Sequence, residues 1–116
     1  MKLLVILSSR PYDGTDVIWN AIRLIDTALV EGHRVNVFVM NDAVDVVRGD
    51  SKPEGAEFDL TNMLIESTKR GSKVKICTTC VNRCGIKKGE IISEAKLAGM
   101  SDLVKWIEEA DKTITF

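Results

Sequence analysis

The chain has 116 residues and nearly balanced charge, with 16 Lys and Arg against 17 Asp and Glu and a formal net charge of −1. This length supports one domain, residues 1–116, that folds around its own core without disulfides. The balanced charge and the aromatic content of 5% argue against nucleic acid as a partner, and no apolar run approaches the roughly 20 residues that span a membrane.

The first part of the chain predicts a β-α-β unit with parallel strands. Residues 2–8 form a continuous apolar run, which is typical of a strand covered on both faces. A loop follows over residues 9–15, and a second strand covers residues 34–40. The helix between the strands ends at Gly32 and has apolar residues at helical spacing: Ile18, Ala21, Ile22, Ile25, Ala28 and Leu29. Such a connection is right-handed.

The middle of the chain predicts a second crossover. Residues 41–47 have room for one or two helical turns, and the polar stretch 48–57 is predicted to be mobile. A helix is expected to begin after Asp59, which is a good N-cap residue, and to end at Gly71. A third strand covers residues 73–77.

The last part of the chain is less regular. Residues 91–100 have the composition of either a strand or a helix. Ser101 is the predicted N-cap of a helix over residues 102–110, and a short strand covers residues 113–116. The buried stripe of this helix is expected to consist of Leu103, Val104, Ile107 and Ala110. Together these elements predict a three-layer α/β fold, with a mostly parallel sheet of about five strands flanked by helices.

Three cysteines follow the third strand within eight residues, namely Cys77, Cys80 and Cys84. Their odd number, together with the expected absence of a signal peptide, predicts a reducing, cytoplasmic environment. Cys77 continues the strand, so a core position and a chemical role are both open to it. Cys80 is expected in the first turn of a helix, where free amides favour a thiolate. Nearby cations have the same effect: Arg83, Lys87 and Lys88.

The cysteines belong to a larger predicted crevice. In an open parallel sheet, ligands bind beyond the carboxyl ends of the strands. The loops over residues 8–15, 40–43 and 77–84 leave from that edge. Besides the thiols, they carry Ser8, Ser9, Arg10, Tyr12, Asp13, Asn41 and Asp42. The candidate substrate-binding residues are Thr78, Thr79, Arg83, Tyr12 and Asp13, although Tyr12 and Asp13 also suit an ordinary turn.

Three kinds of function remain open from these residues. A reactive thiol centred on Cys80 is one, since Cys77 and Cys80 form a C-x-x-C dithiol. A metal-binding or redox-sensing module is another, because C-x2-C-x3-C supplies three soft thiolates. The single histidine, His33, is expected at the opposite edge of the sheet, so a fourth ligand is lacking. The third is a small oligomeric scaffold whose cysteines are inert core residues.

Several segments resemble one known family. KLLVILSS, EGHRVNVFVMND, VKICTTCVNRCGI and EEADKTITF are similar to the DsrE/DsrF-like sulfur-transfer proteins, which include TusD-type carriers. The family carries an Arg-Gly pair where this chain has Cys84 before Gly85, and the arginine is shifted to Arg83. This departure adds a third thiol.

The resemblance implies a flavodoxin-like fold and a sulfur-relay function. In this role Cys80 accepts sulfane sulfur as a persulfide and passes it to a partner thiol, as a sulfurtransferase-like carrier without a cofactor. The implied partners are sulfur donor and acceptor proteins and further copies of the chain, in a dimer, trimer or hexamer. From the chemistry of thiol exchange we add the hypothesis that Cys77 or Cys84 acts as a resolving thiol.

Overall fold

Five strands form the centre of the computed structural model, which describes residues 1–116. Their order across the sheet is β4-β3-β2-β1-β5, and every neighbouring pair is parallel. The strands are β1 (Lys2–Leu7), β2 (Arg34–Val39), β3 (Lys73–Cys77), β4 (Ala95–Ala98) and β5 (Lys112–Thr115). The predicted three-layer α/β fold is confirmed, and residues 91–100 contain a strand.

Four α-helices connect the strands: α1 (Val17–Val30), α2 (Leu60–Lys69), α3 (Thr78–Arg83) and α4 (Met100–Glu109). Two 3₁₀ helices cover Asn41–Val47 and Lys88–Glu90. Strands β1 to β4 advance in one direction across the sheet, so right-handed crossovers place α1, α2 and α3 on one face. The connection from β4 to β5 runs in the opposite direction and places α4 on the other face. No helix combines the length and the apolar character needed to cross a membrane.

The core lies on both faces of β1 and β2, because these strands occupy the middle of the sheet. Leu4, Val5 and Leu7 of β1 are fully buried, as are Val37, Phe38 and Val39 of β2. Helix α1 buries the predicted stripe from Ile18 to Ala28, with Ile22 and Ile25 at its centre, and Leu29 is only partly buried. The continuous apolar runs in the sequence therefore correspond to strands with no solvent-exposed face.

Helix α4 differs from its prediction at its start and in its buried face. It begins at Met100 rather than at residue 102, because the carboxylate of Asp102 accepts the backbone N–H of Gly99 at 2.9 Å and Ser101 lies inside the helix. Leu103 and Trp106 are buried, and the Trp106 ring packs edge-on against Phe38 at 6.5 Å between centroids. The prediction that Val104 and Ile107 are buried is wrong: they are 51% and 44% exposed, because α4 alone covers this face and has no neighbouring helix.

The polar stretch predicted to be mobile is held in its amino-terminal half. Arg48 forms an isolated antiparallel bridge with Ile91, and the hydroxyls of Ser51 and Thr61 are 3.0 Å apart. The buried hydroxyl of Thr61 also donates to the carbonyl of Val46 at 2.7 Å. These contacts join the segment to α2 and to the residues that precede β4.

Candidate functional site

Cys77 occupies the junction between β3 and α3. It is the last residue of the strand and the N-cap of the helix, and its Sγ accepts the backbone N–H of Cys80 at 3.3 Å. A thiol at this position does what a serine or aspartate side chain does at other helix starts, since it satisfies an amide that has no partner within the helix. This contact also brings Cys77 close to Cys80.

The Sγ of Cys80 accepts a hydrogen bond from outside its own helix. The donor is the backbone N–H of Asn41, at 3.3 Å, in the segment that follows β2. We expected the free amides of α3 to stabilise this sulfur, but the structure assigns the amide of Cys80 to Cys77 instead. The amide that contacts the Cys80 sulfur therefore comes from the loop after a neighbouring strand.

Asn41 is held in an unusual backbone conformation. Its φ angle is +51°, in the left-handed region, which asparagine tolerates better than most residues. Its side-chain Nδ2 donates to Oγ of Ser8 at 2.7 Å, just beyond the end of β1. The contacts Ser8–Asn41–Cys80–Cys77 thus link the carboxyl ends of three adjacent strands, β1, β2 and β3.

The three thiols have different environments, although all are free. Cys77 is 3% exposed and Cys80 is 8% exposed, whereas Cys84 is exposed to solvent. Burial raises the pKa of the Cys77 thiol, and its hydrogen bond with the Cys80 side chain raises it further. Cys77 is therefore a neutral thiol at neutral pH, and Cys80 is more buried than the sequence led us to expect.

Cys84 lies at the opposite end of α3 from Cys77. Its backbone N–H donates to the carbonyl of Cys80 at 3.1 Å, as the C-cap of the helix. The six residues of α3 lie between Cys77 and Cys84, so their α-carbons are about 10 Å apart at 1.5 Å per residue, and a disulfide needs less than about 7 Å. Cys77 and Cys84 are therefore too far apart to pair with each other, whereas the Sγ of Cys77 already contacts the backbone of Cys80.

The predicted substrate-binding residues of the cysteine loop face different surroundings. The hydroxyl of Thr78 donates to the carbonyl of Ala98 at 3.1 Å and joins α3 to β4. Thr79 and Arg83 are exposed, and Arg83 has no carboxylate within 4.0 Å. Arg83 is thus free to meet an anionic partner, while Thr78 has a structural role.

Tyr12 and Asp13 are not connected to the thiols by hydrogen bonds. The Tyr12 hydroxyl accepts the backbone N–H of Leu60 at 2.8 Å, and burial raises its pKa. Asp13 accepts the N–H of Thr15 at 2.9 Å and its hydroxyl at 2.6 Å, and these bonds lower the pKa of the carboxyl group. Asp13 therefore stabilises its own turn, which was one of the two interpretations of this residue.

The geometry does not assemble the alternative three-thiolate metal site. No group of three or more His, Cys, Asp or Glu side chains is placed to hold a metal ion. His33 lies at the amino edge of the sheet, where its Nδ1 is 2.9 Å from the terminal amino group of Met1. The cysteine ligands are divided between the two ends of α3, with no fourth donor beside either group.

Ser8 and Asn41 are the residues whose role sequence reasoning missed. Both were placed in the crevice, but neither was assigned to the thiol. Their positions were the available signal, since Ser8 directly follows the buried strand β1 and Asn41 is the second residue after the buried strand β2. Which of the crevice residues reaches Cys80 depends on a contact between residues 39 positions apart.

Comparisons with known proteins agree with this architecture. A model of the DsrE/DsrF-like family matches residues 1–116. An uncharacterized protein of Methanocaldococcus jannaschii, MJ0989, is 34% identical over 116 residues, covering 100% of both chains. Protein YchN of Escherichia coli is 31% identical over 119 residues, covering 99% of this chain and 98% of its own.

The fold is shared with a solved relative. The crystal structure of the E. coli ychN protein superposes with a TM-score of 0.86 at 31% identity, covering 100% of each chain. The match by family model, sequence and structure extends from end to end, with the five-stranded parallel sheet in common. The chain belongs to the DsrE/DsrF-like family.

Proposed function

We propose that this protein is a sulfur carrier, in which Cys80 accepts sulfane sulfur as a persulfide and delivers it to a partner thiol. Membership of the DsrE/DsrF-like family is consistent with a role in sulfur relay. The observation that carries the proposal is the hydrogen bond from the Asn41 amide to the Sγ of Cys80, 3.3 Å long, at the carboxyl edge of the sheet. A fixed amide donor favours the thiolate that sulfur transfer requires.

Loading is a thiolate exchange. The Cys80 thiolate attacks the outer sulfur of a donor persulfide, R–S–S–H. A new Sγ–S bond forms, the donor's S–S bond breaks, and the donor leaves as the thiolate R–S⁻ while the proton stays on the transferred sulfur. No oxidant or reductant is consumed, because the sulfane sulfur keeps its oxidation state through the exchange.

Delivery has two routes, and the environment of Cys77 favours one of them. An acceptor thiolate can attack the outer sulfur and restore Cys80. Alternatively, Cys77 can attack Sγ of Cys80, which closes a disulfide and releases hydrosulfide. The second route needs the Cys77 thiolate, and the raised pKa of Cys77 keeps that thiol protonated near neutral pH. Burial of Cys77 thus protects the persulfide from intramolecular loss.

Cys77 and Cys80 together support a second candidate function, that of a redox-sensing dithiol. The 3.3 Å contact between Sγ of Cys77 and the amide of Cys80 places the two residues as neighbours in one helical turn. In that case oxidation of the reduced protein would yield a Cys77–Cys80 disulfide without any gain of sulfur. Mass spectrometry separates this outcome from persulfide loading.

Self-association is the remaining part of the proposal. Four apolar side chains on β4 and α4 are 42–51% exposed: Leu97, Met100, Val104 and Ile107. Three of them share one face of α4 at positions i, i+4 and i+7, an apolar stripe that a bound partner would shield from water. A second copy is the occupant we propose, because a net charge of −1 gives little repulsion between copies. Light scattering of the Val104→Glu variant against wild type tests this assembly.

The experiment for the carrier role is intact-mass analysis after incubation with a persulfide donor. Wild type is expected to gain one sulfur atom that a reducing agent removes, and Cys80→Ser is expected to gain none. Cys84→Ser is the matched control, since it removes an exposed thiol of the same helix and should load like wild type. If Cys80→Ser still gains sulfur at another cysteine, Cys80 is not the carrier.

A further inference from the structure

A second cleft opens between the amino-terminal ends of α1 and α2. Its volume is about 490 Å³, within the range of small-molecule sites. None of the cysteines lines it, and neither do Ser8 and Asn41. The chain has only two Trp, one Tyr and three Phe, and three of these rings meet here: Tyr12, Trp19 and Phe58.

The aromatic wall of the cleft is ordered and partly open to solvent. Trp19 and Phe58 are stacked, with ring centroids 5.1 Å apart and planes inclined by 24°. Phe58 is nevertheless 42% exposed, which is unusual for a phenylalanine that already has an aromatic partner. Exposed aromatic surface inside a cleft is available to a ligand with an apolar body.

Trp19 already interacts with one cation of the chain. The guanidinium carbon of Arg23 lies 4.5 Å from the centroid of the Trp19 ring. Arg23 is held there by Oδ1 of Asn20, which accepts from its NH1 at 2.9 Å, and it does not line the cleft. The electron-rich faces of this aromatic cluster therefore attract positive charge in the folded protein.

The charged groups that line the cleft have a single sign, although Arg23 lies over the Trp19 ring without lining the cleft itself. Asp16 and Glu57 line it, and no Lys or Arg does. Neither carboxylate has a cationic group within 4.0 Å. Asp59 lies on the same segment as Glu57 and adds to the negative potential, whereas Arg10 offsets the charge of Asp13. An aromatic wall beside unpaired carboxylates is complementary to an organic cation.

Tyr12 fixes one side of this arrangement. Its backbone has a φ angle of +57°, an uncommon conformation for a bulky residue, and its hydroxyl accepts the N–H of Leu60 at 2.8 Å. The hydroxyl proton is not used in that contact and remains available as a donor. The contact joins the loop before α1 to the start of α2, so that the two halves of the cleft are held together.

We propose that this cleft binds a small organic cation, with its ammonium group between Asp16 and Glu57 and its apolar body against Trp19 and Phe58. The inference does not depend on the sulfur-carrier function, because none of the residues involved contacts Cys80. The ligand class is an alkylammonium or arylammonium compound whose aromatic or aliphatic part fills the remaining volume. Neutral and anionic analogues of the same shape should bind more weakly, because they lack the positive charge that the carboxylates attract.

The test is an NMR titration of the full chain with 2-phenylethylammonium, 2-phenylethanol and phenylacetate. The two tryptophans give two indole N–H signals, and Trp19→Phe assigns them. We expect the ammonium compound to shift the Trp19 signal and to leave that of the buried Trp106 unchanged. The alcohol is expected to bind at least about fivefold more weakly, which corresponds to a cation–π and charge contribution of roughly 1 kcal/mol.

Single substitutions identify the side chains that bind the ammonium compound. Glu57→Gln and Asp16→Asn should each weaken ammonium binding several-fold, and Phe58→Ala should abolish the shift. Glu54→Gln is the matched control, because it removes an exposed carboxylate of the same segment that does not line the cleft. Equal binding of the ammonium compound and the alcohol, or no shift with the ammonium compound at millimolar concentration, would overturn the proposal. Cys80→Ser should bind like wild type, so that this result is independent of sulfur loading.

Discussion

Cys80 and Cys84 lie four residues apart on one short helix, yet they have little in common. Cys80 is 8% exposed and its Sγ accepts an amide from the loop after β2. Cys84 is exposed at the end of the helix, and its thiol has no hydrogen bond. Cys80 lies within α3 and packs against the loop after β2, whereas Cys84 is the C-cap at the solvent-exposed end of the helix. The spacing of cysteines in a sequence can indicate a thiol site, but the tertiary surroundings of each thiol decide its reactivity.

The largest expected difference between the two ends of α3 is in the rate at which their thiols are alkylated. With iodoacetamide at neutral pH, Cys84 should react roughly 100-fold faster than Cys77, which reacts only when the site opens. Cys80 should lie between them, since the residue is 8% exposed, against 3% for Cys77, and its sulfur accepts an amide. Peptide mapping after timed quenching measures the three rates, and urea-unfolded protein, in which all three should converge, is the control. A rate for Cys80 as slow as that of Cys77 would favour the inert scaffold.

Substitution of Asn41 should change the chemistry of Cys80 and leave Cys84 untouched. Asn41→Val places a β-branched residue at φ +51°, a strain of about 1–3 kcal/mol that displaces the amide. We expect persulfide loading of Cys80 to slow roughly tenfold, in line with the loss of a fixed anion donor. Asn41→Gly is the matched control, because glycine keeps both the conformation and the amide. Equal loading by both variants would contradict the role of this N–H.

A smaller effect is expected from Ser8, which contacts Asn41 rather than the sulfur. Ser8→Ala removes the 2.7 Å hydrogen bond from Asn41 Nδ2. The expected loss of unfolding free energy is about 0.5–1.5 kcal/mol, the usual contribution of one hydrogen bond, and we place it at the lower end because the bond is exposed. Urea denaturation measures this change. Ser9→Ala is the control, since the Ser9 hydroxyl makes no hydrogen bond; an equal loss there would show that the effect is not specific.

The smallest predicted effect is a pH dependence of stability from Cys77. Its pKa is raised in the folded state, so the folded protein keeps the proton that the unfolded chain releases above about pH 8.5. Stability is therefore unaffected below that pH and falls as the pH rises through the window between the unfolded and folded values. The decline should be shallower in Cys77→Ser, which retains an N-cap side chain without this ionisation. Denaturation midpoints between neutral and alkaline pH provide the comparison, and identical slopes would contradict the raised pKa.

The sequence was sufficient to predict most of the secondary structure, because apolar spacing reports burial directly. The run at the start of the chain and the helical stripe from Ile18 to Ala28 are both buried as expected. Helix α4 was predicted less well. Its apolar residues form one wide stripe of which only a part packs on the sheet, so periodicity could not show that Leu103 and Trp106 face the sheet while Val104 and Ile107 face outward.

The candidate site was predicted in location and in its central thiols but not in its internal contacts. A third strand that ends in Cys77 and leads into a helix places the cysteines at the carboxyl edge of a parallel sheet. The assignment of helix amides to Cys80 was wrong, since the geometry of the N-cap gives that amide to Cys77. The grouping of Tyr12 and Asp13 with the thiols found no support in their hydrogen bonds, which lead to Leu60 and Thr15.

By itself, the amino-acid sequence determined the order and type of most elements, though not the strand within residues 91–100, and with them the edge of the sheet that carries the thiols. These properties follow from patterns within ten or twenty residues, where backbone preference and burial act together. Only the tertiary structure decided that Asn41 faces Cys80, that Cys77 is buried, and that aromatic rings from two helix ends form a second cleft. Such contacts join residues tens of positions apart, and they depend on the register of adjacent strands and on which helix covers each face.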